Sequence, residues 1–66
     1  MNRPIDRAQA ILIEKGSNLM QKDLNDIRFL CIEIPTEEWG QVMLLMEGVA
    51  MIVNDPDYSG DISPIV

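Results

Sequence analysis

The chain has 66 residues, a net charge of −6, a hydrophobic fraction of 47%, one cysteine and no histidine. That length allows one domain, residues 1–66, which buries only about 60% of the surface its unfolded form exposes. A lone Cys31 excludes an internal disulfide, and the lack of histidine excludes the usual zinc sites. The core must therefore be aliphatic and Met-rich, or be completed by a partner.

The first predicted element is a helix over 4–15. Pro4 suits the first turn, where its missing N–H is no loss. Asp6 lies toward the positive helix end and Lys15 toward the negative one, and Gly16 offers a left-handed stop. Ile5, Ala8, Ile11 and Leu12 form one apolar stripe, and Ile13 falls off it.

A second helix is predicted over 19–32. Asn18 with Gln21 has the spacing of a capping box, and Met20, Leu24, Ile27, Cys31 and Ile34 step by four and three. The alternative makes 28–34 a strand and the fold α+β, because Phe29, Cys31, Ile32 and Ile34 also suit a sheet. Pro35 ends the element in either case. Cys31, set in an apolar run, reads as a small buried hydrophobe rather than a nucleophile.

The third helix is predicted over 37–53, with Thr36 as N-cap and Glu37 and Glu38 in the first turn. Trp39, Val42, Met46, Val49 and Val53 step by three and four. Met43, Leu44, Leu45, Ala50, Met51 and Ile52 make the other faces apolar too. Such a helix must be covered on more than one face, and two short helices cannot cover all of it. Self-association through Val42, Met46, Val49 and Val53, as a homodimer, is the expectation. A hairpin of 41–46 with 49–53 is the weaker alternative, because Glu-Gly is a poor two-residue turn. The fold class is thus all-α: three helices followed by an irregular acidic tail over 54–66, with Ile62, Ile65 and Val66 available to pack back on the core.

Charge is unevenly placed. All five basic residues lie in the first 28 positions, whereas seven acids and no base follow Ile27's neighbour Arg28. Direct binding to nucleic acid or to an anionic membrane is disfavoured, and a basic protein surface is the natural partner. Simple solubility of a small apolar domain accounts equally well for the acidity. The candidate partner-binding residues are Glu37, Glu38, Trp39, Asp55, Asp57, Tyr58 and Asp61, with Trp39 also suited to the core.

Chemistry-bearing constellations are scarce. No histidine base, phosphate loop or partnered serine is evident, and adjacent Glu37 and Glu38 would point about 100° apart on a helix. The expectation is a protein that is not an enzyme and has no cofactor. The stretch Asp55-Pro56-Asp57-Tyr58-Ser59-Gly60-Asp61-Ile62 resembles the front of an EF-hand calcium loop, with oxygens at positions one, three and five and glycine at six. It departs from that family at the twelfth position, Val66 in place of glutamate, and at Pro64 inside the loop. The resemblance implies a calcium-responsive binder through 55–66. The plainer reading is an acidic turn after a helix.

No signal peptide is read at the start of the chain, and no apolar stretch is long enough to span a bilayer, so a cytoplasmic location is expected. The leading functional expectation is an inhibitor or adaptor that docks its acidic half on a basic protein, of the sort phages and mobile elements encode. A structural subunit that assembles through the third helix is the alternative.

Overall fold

A computed structural model describes residues 3–64. It is all-helical: α1 spans Pro4–Lys15, α2 spans Gln21–Ile32 and α3 spans Trp39–Val53. Short 3-10 turns at Gly16–Asn18 and Thr36–Glu38 precede α2 and α3. There is no strand among the described residues, so 28–34 is the end of a helix and a turn, and 41–53 is helix throughout.

The ends of α1 follow from its sequence. Arg3 is extended and Pro4 opens the helix, Asp6 sits in the first turn and Lys15 in the last. Gly16 has φ +49°, a conformation L side chains rarely adopt, and its N–H returns to the Leu12 carbonyl. Ile5 and Ala8 are buried, Ile11 and Leu12 are half-buried, and Ile13 stands in solvent.

The start of α2 differs from expectation. The Asn18–Gln21 capping box does not form. Met20 is the extended cap residue, and its N–H donates to Asp23 Oδ2 at 3.0 Å. Asn18 Oδ1 is instead taken by the Ser59 hydroxyl at 2.8 Å. The helix begins at Gln21 because Gly16–Asn18 first closes a 3-10 turn, which also buries Leu19 completely. Ile27, Cys31 and Ile34 of the predicted seam are buried, and Leu24 and Met20 are half-buried.

Thr36 makes no side-chain cap. Thr36–Glu38 forms a 3-10 turn after an extended Pro35, and α3 proper starts at Trp39. Arg3 Nη1 donates to Glu38 Oε1 at 3.1 Å and Arg3 Nε lies 3.5 Å from Asp6 Oδ2, so one side chain ties the beginning of α1 to the approach to α3. Both pairs are substantially exposed and contribute little stability.

The core gathers Ile5, Ala8, Leu19, Ile27, Cys31 and Ile34 around Val42, Leu45, Val49 and Val53 of α3, with Ile62 of the tail closing it. Helix α1 packs against both α2 and α3, whereas the backbones of α2 and α3 scarcely approach one another. The α1–α3 contact is close at Gly48, where a Cβ would stand 3.1 Å from Leu12 Cδ2. Residues 54–64 have no regular structure, yet hydrogen bonds tie them to the rest of the chain. Their bonds to the residues before α2 are described below. Ile65 and Val66 lie outside the described residues.

Candidate functional site

The acidic residues of the C-terminal half do not make one patch. Helix α3 separates Glu37 and Glu38 from the 55–61 segment by roughly 20 Å of helical rise. The two groups also have different work in the fold.

At the tail, Asp55 Oδ1 accepts the Asp57 N–H at 2.8 Å, a local turn after α3. The Tyr58 hydroxyl donates to the Leu19 carbonyl and accepts the Ile62 N–H at 3.0 Å. Ser59 N–H donates to the Ser17 carbonyl at 3.0 Å. Asp61 Oδ1 accepts the N–H of Gln21, the first residue of α2. That N–H has no partner within the helix, and a carboxylate at the positive helix end is favourable. Gly60 is confined: a Cβ there would overlap the Leu19 carbonyl oxygen and the Tyr58 hydroxyl. Tyr58 and Asp61, expected to face a partner, are thus turned onto the chain itself.

The same bonds bear on the calcium-loop resemblance. The Ser59 hydroxyl, the fifth-position oxygen, is bonded to the Ser17 carbonyl and Asn18 Oδ1 at the approach to α2. No cluster of three His, Cys, Asp or Glu side chains able to hold a metal occurs among the described residues. The twelfth position of the loop, Val66, lies outside them. Over the described residues the segment forms an acidic turn and a strap to the approach of α2.

At the other end the arrangement is different. Trp39 is half-exposed, and its indole Nε1 donates to the Ile34 carbonyl at 3.1 Å. That bond fixes the ring across the α2–α3 turn. Trp39 lines both parts of an apolar surface groove that runs along α3 and meets α2 at one side. One part, about 420 Å³, is lined by α3 residues alone: Trp39, Val42, Met43, Met46, Glu47 and Ala50. A second part, about 230 Å³, shares Trp39, Val42 and Met46 and is walled on α2 by Arg28, Cys31 and Ile32. No α1 residue lines either part, as the splay of α2 and α3 requires.

Sequence periodicity placed the self-association stripe differently. Val42, Val49 and Val53 lie in the chain's own core, at 5%, 1% and 2% exposure, and of that set Met46 and the edge of Val42 reach the groove. The physical reason is rotation: the buried face of α3 runs through Val42, Leu45, Val49 and Val53, one position from the face read through Met46. What α3 leaves in solvent is Met43, Leu44 and Met51, each about two-thirds exposed or more. Ile32 and Phe29 on α2 are more than three-quarters exposed as well. Met43, Leu44 and Met51 belong to the apolar faces of α3 that the sequence shows to need cover, whereas no pattern in the sequence marks Phe29 and Ile32 as exposed. Burying one such side chain is worth about 1.5–3 kcal/mol, so the uncovered set is costly for so small a domain.

Cys31 forms part of the groove floor and is 8% exposed. Burial pushes its thiol pKa up, which disfavours the thiolate. The group is a packing element and not an activated nucleophile.

No helix among the described residues is long and apolar enough to cross a membrane. Compared with known protein families, curated proteins and solved structures, the chain shows no significant similarity to any.

Proposed function

We propose that this protein is a non-enzymatic interaction module, an inhibitor or adaptor that binds a protein carrying a basic and partly apolar surface in the cytoplasm. The observation that carries the reading is the open apolar groove along α3, lined by Glu47, in a chain that has seven acids and no base after Arg28. Glu33 lies one residue after Ile32 and Glu37 two before Trp39 in the chain, and both are exposed. Glu38 is already engaged by Arg3. Apolar walls supply affinity and the carboxylates supply orientation and choice of partner.

Capture from a lysate of the native host tests this, with bound proteins identified by mass spectrometry across a salt series. Proteins with basic surfaces should be retained at about 50 mM salt and released as screening shortens the electrostatic range toward about 500 mM. A Glu33→Gln, Glu37→Gln, Glu47→Gln variant should lose them. Capture of nothing by the wild type overturns the reading.

Self-association or incorporation into a larger assembly is a second reading, favoured by Leu44 and Met51, which lie exposed outside the groove. It would run through these residues and Met43, since the valines of α3 are enclosed in the core. Sedimentation of the isolated chain over a range of concentrations distinguishes a monomer from a dimer or a larger oligomer.

A further inference from the structure

Resting on the interaction reading above, we propose that the occupant of the α2–α3 groove is a single amphipathic helix with an apolar stripe and flanking Lys or Arg side chains. Trp39, Met43, Met46 and Ala50 step by four, three and four along α3, the spacing by which one helix offers a straight seam to another. They span about 16 Å, so the incoming helix needs three to four turns. Ile32 of α2, 77% exposed, lines the groove beside Trp39 and Met46 at one end, and no α1 residue lines either part. The seam tapers from an indole at residue 39 to a methyl at residue 50. The matching stripe therefore carries a small side chain at the Trp39 end and a large one at the Ala50 end. The two methionines let the seam adapt to the shape of the incoming side chains.

Charge selects the occupant. Glu47 and Arg28 are the charged residues that line it, Glu33 and Glu37 are exposed one residue after Ile32 and two before Trp39 in the chain, and no base follows Arg28 while seven acids do. A second copy of the chain would bring the same carboxylates and a further net charge of −6 against their equals. A cationic helix meets them with opposite charge.

The test uses a designed Leu/Lys heptad peptide of about 14 residues, with a Leu/Glu peptide of the same pattern beside it. Each is titrated into protein carrying ¹³C-methyl methionine, at about 150 mM salt. The Lys peptide should shift the Met43 and Met46 methyl signals, leave Met20 unmoved and change Trp39 fluorescence. The Glu peptide should bind at least about tenfold more weakly. Met43→Ser, a neutral change at an exposed site, should weaken the Lys peptide about tenfold, and Met51→Ser should not. Binding of the Lys peptide with Met43 and Met46 unmoved overturns the groove assignment while leaving an acidic interaction module in place. Equal binding of both peptides overturns the charge selection. Shifts of Met43 and Met46 with protein concentration alone make a second copy the occupant and overturn the proposal. No binding of either peptide overturns it too, and the lysate capture then judges the broader reading separately.

Discussion

The hydroxyl of Tyr58 donates to the carbonyl of Leu19, a residue 39 positions earlier that is fully buried at the approach to α2. The same oxygen receives the Ile62 N–H, so one phenol joins the irregular tail to the core on both sides. Removing it leaves a partly buried carbonyl and a partly buried N–H without their partner. Tyr58→Phe should cost about 1–3 kcal/mol, measured as a lower urea midpoint, while the helical circular-dichroism signal of the native state is retained. An unchanged midpoint would show that the tail contributes nothing to stability.

Two glycines should respond in opposite directions. At Gly60 a Cβ would overlap the Leu19 carbonyl oxygen and the Tyr58 hydroxyl, so Gly60→Ala should destabilise by about 1–3 kcal/mol. Gly40, in the first turn of α3, has open space where its Cβ would stand. Gly40→Ala should stabilise by about 0.5–1 kcal/mol through helix propensity alone. Thermal unfolding of the two variants side by side checks both signs.

Helix α2 is held at its start by two carboxylates, Asp23 on the Met20 N–H and Asp61 on the Gln21 N–H. Asp23→Ala should cost about 0.5–2 kcal/mol, the ordinary loss of a helix cap. Asp61→Ala should cost less on its own, because it is exposed. It acts through the same strap as Tyr58, so the double variant Tyr58→Phe with Asp61→Ala should lose less than the sum of the two single losses. Strict additivity in denaturant titrations would show that the two contacts are independent.

The Cys31 thiol, pushed up by burial, should react with an aromatic disulfide reagent only slowly in the native protein and quickly in urea. The sign of the pH effect follows. The folded thiol holds its proton to higher pH than the unfolded one, so its contribution to stability is complete below the unfolded thiol pKa of about 8.5. That contribution is lost as pH rises through the folded value. Cys31→Ala should remove this alkaline loss, read as a flatter dependence of the unfolding midpoint on pH above about 8.5.

Calcium should not stabilise the protein. Loading the 55–61 segment would draw the fifth-position Ser59 hydroxyl from Asn18 and Ser17. The thermal midpoint should stay the same with about 1 mM calcium, and a rise would show that an ion loop forms at the expense of the strap.

Much of the helical framework was legible because local punctuation states it: Pro4 and Gly16 bound α1, and Pro35 separates α2 from α3. The start of α2 was legible only to within two residues. Its cap is Met20, which has no capping signature, and the acid that serves it is already inside the helix. Which face of α3 the chain buries is not legible in the sequence, because a helix apolar on nearly every side offers several stripes of equal spacing. Packing against the rest of the core, with Leu12 set against Gly48, chooses among them. Tyr58 and Asp61 were read as partner-facing for a similar reason. Nothing near them in the chain reveals that their hydrogen-bond partners lie some forty residues earlier. Trp39 was legible as an anchor, but the groove behind it depends on the splay of α2 and α3, a property of the assembled helices.

The strap has a consequence for the order in which the protein is made. Residues 17–21 leave the ribosome long before Tyr58, Ser59 and Asp61 do, so the entry to α2 remains open while most of the chain is already outside. All three helices end by Val53 and can coil early, but the lock that seats Leu19 turns last, and a chain halted shortly before Tyr58 would have every helix written and its interior still ajar.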